Sequence, residues 1–325
     1  MTGSARPALE CGLQPGEDGL VSHTESRLMT TPAEPVTGRH RVARGPALAI
    51  GCVILLLTAC GSGSAPVKDT ASGVHAKFDP ANFVDPTLST NKWQPLHPGM
   101  QWVREGTTLV GTRPVPHQVV TTMTDVIRRI DGVPTIASID QDTDAGQIVE
   151  VSIDYFGLDK DGNVWLLGGW TADFSSGKYT YNSDAWLGTQ NGGQVGILMP
   201  KDPVEKMPRW FISKPPGGTG SAAEVVQTGV HQCVDFACYD NVLIAREGEI
   251  GAIDNAFKYY APDVGFIRDS PRKDSQHKDV EQLVNLITLS SAGLADMSNK
   301  ALQLEELART AKPDVFGTAI SARTR

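Results

Sequence analysis

From Trp93 to Ser290, runs rich in Val, Ile, Thr and aromatic residues recur roughly every ten positions, and turn residues separate them. Runs of β-branched and aromatic residues bounded by turn signals are the pattern of antiparallel β-structure. The pattern predicts strands over 101–110, 118–130, 133–142, 148–158, 164–171, 178–186, 195–199, 209–213, 223–230, 239–247, 256–261, 265–269 and 280–290. Asp131-Gly132 and Asp161-Gly162-Asn163 fall between such runs and suit tight hairpins, where backbone angles with φ above zero are required.

The period changes once. Leu294, Met297, Ala301, Leu302, Leu304 and Leu307 recur at helical spacing, which predicts a helix over 292–311, ended by Pro313. There are no alternating βα units and no repeat of 20 to 50 residues. An amphipathic helix at the end of a run of strands needs an apolar surface to cover. The expected fold is therefore mainly β: a strongly curved antiparallel sheet, a half-barrel or open barrel, with one C-terminal helix on a face or across the mouth.

The N-terminal part carries a different signal. The basic run Arg39-His40-Arg41-Val42-Ala43-Arg44 precedes an uncharged apolar stretch, Ala47 to Leu57, too short to cross a bilayer as a helix and laid out like a secretory h-region. It runs into Leu57-Thr58-Ala59-Cys60-Gly61, which resembles the bacterial lipobox. That resemblance implies acylation of Cys60 by diacylglycerol and chains such as palmitate, with cleavage after Ala59. It places the mature chain on the extracytoplasmic face of the cell membrane, held by lipid. The polar, mixed-charge stretch ahead of Met29 does not belong to such a signal, so translation is expected to start at Met29 rather than Met1. Residues 1–59 are thus read as extension and signal peptide, 60–91 as a flexible Gly/Ser/Pro-rich tether, of which Phe78 to Phe83 are expected to lie against the domain because two aromatics are wasteful in a spacer, 92–291 as the β domain, and 292–325 as helix and tail.

Charge narrows the partners. Basic and acidic residues balance ahead of Cys60, so the exported part keeps the whole net charge of −8, which argues against nucleic acid or anionic lipid. Of five cysteines only Cys233 and Cys238 belong to the exported domain besides Cys60. In an oxidising compartment they are disulfide candidates. Free thiols, or a metal held together with His231, are the alternatives.

Three further segments occur in order: Leu96-His97-Pro98-Gly99-Met100-Gln101-Trp102-Val103-Arg104-Glu105-Gly106-Thr107, Asp154-Tyr155-Phe156-Gly157-Leu158-Asp159-Lys160-Asp161-Gly162-Asn163-Val164-Trp165, and Phe257-Lys258-Tyr259-Tyr260-Ala261-Pro262-Asp263-Val264-Gly265-Phe266-Ile267. Together they resemble the W-x-YEG, GNVWY and KYYAPGVG segments of a bacterial, mostly actinobacterial, lipoprotein family of unassigned function. The resemblance spans about 93–268. It departs from the family pattern at Gly169, where an acidic residue is usual, and at Asp263, where glycine is usual.

Candidate chemistry is sparse. Asp159, Asp161 and Asn163 set oxygen ligands at alternate positions, as a calcium loop does, although the spacing also suits a plain hairpin turn. Asp140, Asp142 and Asp144 form a second acidic group near a turn. Six tryptophans, Trp93, Trp102, Trp165, Trp170, Trp186 and Trp210, suit either a core or a concave apolar pocket. No nucleophile elbow, zinc helix or phosphate loop occurs, and no cofactor is implied. The sequence therefore favours a non-enzymatic binding or envelope-interaction module for a hydrophobic ligand or a partner protein. The alternative is a hydrolase using strand-end acids such as Asp154, Asp159 and Asp173. An apolar interior without convergent acids would fit binding, whereas facing carboxylates beside a histidine would fit hydrolysis.

Overall fold

The computed structural model describes residues 73–175, 178–181, 185–251, 256–271, 279–317 and 321–323. The signal segment, Cys60, both candidate start residues and the tether up to residue 72 lie outside the described residues.

Twelve strands follow one another as an up-and-down meander. They are β1 (Met100–Val110), β2 (Arg113–Ile130), β3 (Val133–Asp144), β4 (Gln147–Asp159), β5 (Val164–Ser175), β6 (Gln194–Met199), β7 (Trp210–Lys214), β8 (Ser221–Cys233), β9 (Cys238–Glu249), β10 (Ala256–Ala261), β11 (Gly265–Pro271) and β12 (Val280–Thr288). Each pairs antiparallel with the next, and β12 returns to pair with β1 from Val280↔Thr107 to Thr288↔Met100. The sheet is closed. This corrects the expected half-barrel or open barrel, because the last strand satisfies the edge of the first and leaves no open ladder.

The expected strand 178–186 divides into two short pieces, Lys178–Tyr181 and Trp186–Leu187. Both pair with β5, off the path that closes the barrel. At the β2–β3 turn Asp131 (φ 49°) and Gly132 (φ 84°) take the positive-φ pair that the dipeptide announces. The Asp131 carboxylate is also held by the amide (2.7 Å) and hydroxyl (2.9 Å) of Thr189.

Two apolar layers follow from the alternation. Inside the barrel Trp102, Met123, Ile136, Phe156, Leu158 and Leu243 fill one end. Outside β2–β5, Val126, Ala137, Ile139, Ile153, Tyr155 and Trp170 form a second core.

Against that outer core lies α1 (Ser291–Ala311), capped by the Ser290 hydroxyl accepting from the Gly293 amide at 3.2 Å and continued by the short α2 (Pro313–Phe316). The helix covers a face of the barrel, one of the two expected places. Its buried face differs from the expected stripe: Ser298, Ala301, Glu305 and Ala308 are buried, while Met297, Leu302, Leu304 and Leu307 are half-buried beside them. Small residues bring the helix close, and Glu305 is locked by buried partners. Its Oε1 accepts from Arg128 Nη1 at 3.1 Å, Tyr155 Oη at 2.5 Å and Ser321 Oγ at 2.5 Å.

Residues 73–91, assigned by sequence to the tether, lie against the barrel. Val74 bridges to Trp210, Phe83–Val84 pairs with β4, and Phe78 and Phe83 set their rings 6.0 and 5.4 Å from that of Trp165. The aromatics bury area that a free spacer would waste. Asn91 then fastens the chain to one barrel end, its Nδ2 donating to the carbonyls of Gly162, Met199 and Pro200 at 3.1–3.3 Å. Trp93 and Leu96 are buried in that end.

Candidate functional site

With one end plugged by the 91–96 segment and the apolar core, the other half of the lumen holds a cavity of about 320 Å³. Its floor is apolar: Trp102, Met123, Phe156, Tyr260 and Phe266 contribute to it. The floor is also fixed in place. The Trp102 indole donates to the Val264 carbonyl at 2.7 Å, and the Tyr260 hydroxyl donates to Glu247 Oε1 at 2.5 Å.

Above the floor the lining turns charged. The period of two places Ser138, Asp140 and Asp142 of β3 on the lumen side, with Ser152 and Glu150 of β4 beside them. Register sets Asp140 opposite Ser152 and Asp142 opposite Glu150, and Glu150 is in turn opposite Asp173 of β5. Acids directly opposite on adjacent strands repel one another at cross-strand spacing.

Across the lumen Arg104 donates to Glu281 Oε1 at 3.1 Å and to the Thr121 hydroxyl at 2.8 Å. Lys258 lies 3.4 Å from Glu247. At the rim His117 Nδ1 meets Asp144 Oδ1 at 2.8 Å.

The electrostatics follow from this arrangement. Burial, then the charges of Asp140, Glu150 and Glu281, push the Asp142 carboxyl up to about 8. Burial, then Asp140 and Glu150, push Asp154 up to about 7. Burial also raises Asp140, against the pull of Arg104. For Lys258 burial acts downward, but Glu247 and Asp269 outweigh it, and the ammonium is held above its ordinary value. The β3–β4 wall thus carries protonated acids near neutral pH, while Arg104 and Lys258 stand opposite with carboxylates of their own.

The other sequence candidates separate from this site. Asp159, Asp161 and Asn163, the calcium candidates, form the β4–β5 turn. The Asp159 carboxylate accepts from the amides of Asp161 (3.0 Å) and Asn163 (2.8 Å), from Asn163 Nδ2 (2.9 Å) and from the Trp165 indole (2.8 Å). Asn163 Oδ1 is taken by the Lys201 amide at 3.0 Å. Both oxygens of Asp159 accept hydrogen bonds that hold the turn.

Cys233 and Cys238 face each other in register across β8 and β9 and are joined as a disulfide, Cα atoms 3.9 Å apart. The bond occupies the thiolates that a metal would need, with His231 Nε2 3.7 Å from Cys233 Sγ.

Of the tryptophans only Trp102 lines the cavity; Trp165, Trp170 and Trp186 belong to the outer core. Gly169 stands opposite Asp154, and an ideal Cβ there would fall on the Asp154 carboxylate. The missing side chain is the space that Asp154 uses.

Sequence reasoning had no signal for Glu281, Glu247, Asp269 or Arg104 as one group, because they come from strands far apart in the chain. The one legible trace was the i, i+2 spacing of Asp140 and Asp142, which puts both on one strand face.

No protein-family model matches the chain, and no curated protein matches it. Two solved structures align weakly. One is described as a lipoprotein from Parabacteroides distasonis, with 11% identity, 61% of this chain and 99% of that one covered, and a TM-score of 0.31. The other is an exported protein with a YmcC-like fold from Bacteroides fragilis, with 12% identity, 58% and 95% covered, and a TM-score of 0.29. At that similarity the architecture rests on this chain's own strand register.

Proposed function

We propose that the protein is a membrane-anchored extracytoplasmic lipoprotein whose closed barrel holds a small ligand in its lumen. The observation that carries this reading is the cavity itself: about 320 Å³, apolar below and charged above, with the floor side chains fixed by hydrogen bonds. A concave, preformed space with an apolar floor and convergent polar groups is the form of a ligand site, and here the polar share is large. The anchor is argued from Cys60 and its flanks, and it would hold the barrel at the membrane surface.

The test is native mass spectrometry of the mature protein purified from its own host. A co-purifying small molecule that is lost on replacing Trp102 and Phe156 by alanine would uphold the reading. A clean mass for the bare polypeptide, together with a lumen that admits no probe, would sink it.

One observation favours a second reading. Asp140, Asp142 and Glu150 converge in the cavity with His117 at its rim, the pattern expected of an acid-based hydrolase, and a carboxyl near 8 could act as a general acid at neutral pH. Against it, the floor of Trp102, Met123, Phe156 and Phe266 is apolar, and the sequence has no nucleophile elbow. Glycoside and ester turnover by the purified protein, abolished by Asp142→Asn at unchanged folding, would replace the binding reading with this one.

A further inference from the structure

The chemistry of the lumen goes beyond a generic pocket. Seven acids line the cavity against two permanent cations, Arg104 and Lys258, and those two already face Glu281 and Glu247. Asp142 lies directly opposite Glu150 without intervening residues, with Asp140 one step below on the same face. Fully ionised, such a row is unfavourable in an empty barrel.

Two oxygens in the cavity wall are buried and make no hydrogen bond: Oε2 of Glu281, whose side chain is only 9% exposed, and Oδ1 of Asp140. A buried acceptor left unmade is costly, and it accounts for itself when a ligand supplies the donor.

A single metal ion does not fit the arrangement. Among the described residues the one set of three potential ligands with atoms within 4.8 Å of each other is His231, Cys233 and Cys238, on the barrel surface. The lumen carboxylates are spread more widely than one ion's coordination sphere. What joins them must be extended, carry N–H donors and positive charge, and present an apolar part to Trp102, Phe156 and Phe266.

Resting on the reading of the lumen as a ligand site, we propose that the barrel selects an organic cation: one or more ammonium or guanidinium groups on an apolar body. The cationic end sits between the β3–β4 acids and Glu281, and the apolar end rests on the aromatic floor. The raised acidity constant of Asp142 agrees with a site whose carboxyls ionise fully only when a cation enters.

The experiment uses the lipid-anchored full chain in nanodiscs, with empty nanodiscs as blank. Octylammonium, octanol, octanoate and calcium chloride are titrated by calorimetry and by the change in intrinsic tryptophan fluorescence, to which Trp102 in the cavity floor contributes. Octylammonium is expected to bind at least tenfold more tightly than octanol, and octanoate more weakly than either. Asp142→Asn with Glu150→Gln should cost octylammonium about tenfold and leave octanol unchanged. Asp140→Asn alone serves as the second variant should the pair fail to fold, with the same direction expected.

Octanol or octanoate binding as tightly as octylammonium would overturn the cation assignment while leaving the lumen a ligand site. So would calcium binding that excludes octylammonium, or octylammonium affinity untouched by both variants. Failure of the ligand-site reading looks different: no probe binds, and the protein from its host carries nothing.

Discussion

Glu305 shows what one residue can hold. A charged residue on the face that α1 turns to the barrel, it is 2% exposed and takes three hydrogen bonds, including one from the guanidinium of Arg128, whose central carbon also lies 5.3 Å from the ring centre of Phe316. Removing one partner of a buried pair strands the other charge, at a cost of about 3–5 kcal/mol. Glu305→Ala is therefore expected to lower the melting temperature by roughly 10 °C. Glu305→Gln, which keeps hydrogen-bonding capacity, should lose less, and calorimetry of the two variants checks the order. Asp142 acts in the opposite sense. Its carboxyl is faced by Asp140 on its own strand, Glu150 on β4, Glu281 on β12 and Arg104 on β1. In the folded barrel it keeps its proton up to about pH 8, whereas the unfolded chain loses it near the ordinary value of about 4. The folded state binds more protons in that window, so stability present at low pH is lost as pH rises toward 8. Asp125, lowered by Arg323 despite its burial, works the other way only below the ordinary value. Without ligand, melting should fall by roughly 5 °C from pH 5 to pH 8.5, and Asp142→Asn should flatten that slope. An unchanged slope in the variant would remove Asp142 as the cause.

At the scale of elements, the helix and the strands depend on each other unequally. Twelve strands close without α1, but the outer face of β2–β4 then exposes Ala137, Ile139, Val151 and Ile153, all buried now. A chain ending at Ser290 should melt lower and bind a hydrophobic dye, and unchanged unfolding would show that the helix is an appendage. The gain from burying the leucine stripe is smaller than the sequence suggests, because Leu304 and Leu307 are only half-buried and line an outer groove of about 350 Å³ with Met297. The Cys233–Cys238 bond clips the turn between β8 and β9, a loop short enough that reduction is expected to cost about 2 kcal/mol or less. A double serine variant that failed to fold would contradict this.

For the molecule as a whole, the proposed lipid attachment and the proposed ligand site are separable. Cys60→Ser is expected to move the protein from the detergent phase to the aqueous phase, or to leave an uncleaved precursor, without changing the barrel's melting. A processed, detergent-partitioning variant would refute the anchor. Runs of β-prone residues bounded by turn residues determined the strands: twelve of the thirteen expected ones are barrel strands within a few residues, because both signals are local properties. The Asp-Gly turn and the helix of 292–311 were legible for the same reason, since positive φ and 3.6-residue spacing are written in neighbouring residues. Closure was not legible. It depends on β12 meeting β1 across about 180 residues, and no local pattern encodes which edge a strand finds. Nor was the acidic lumen. Asp140 and Asp142 read as solubilising acids near a strand end until closure turned their face inward, and Arg104, Lys258, Glu247 and Glu281 then came within reach from the far wall. The sequence decided which side chains share a strand face; the tertiary structure decided which faces look at one another, because enclosure and its desolvation exist only once the sheet meets itself.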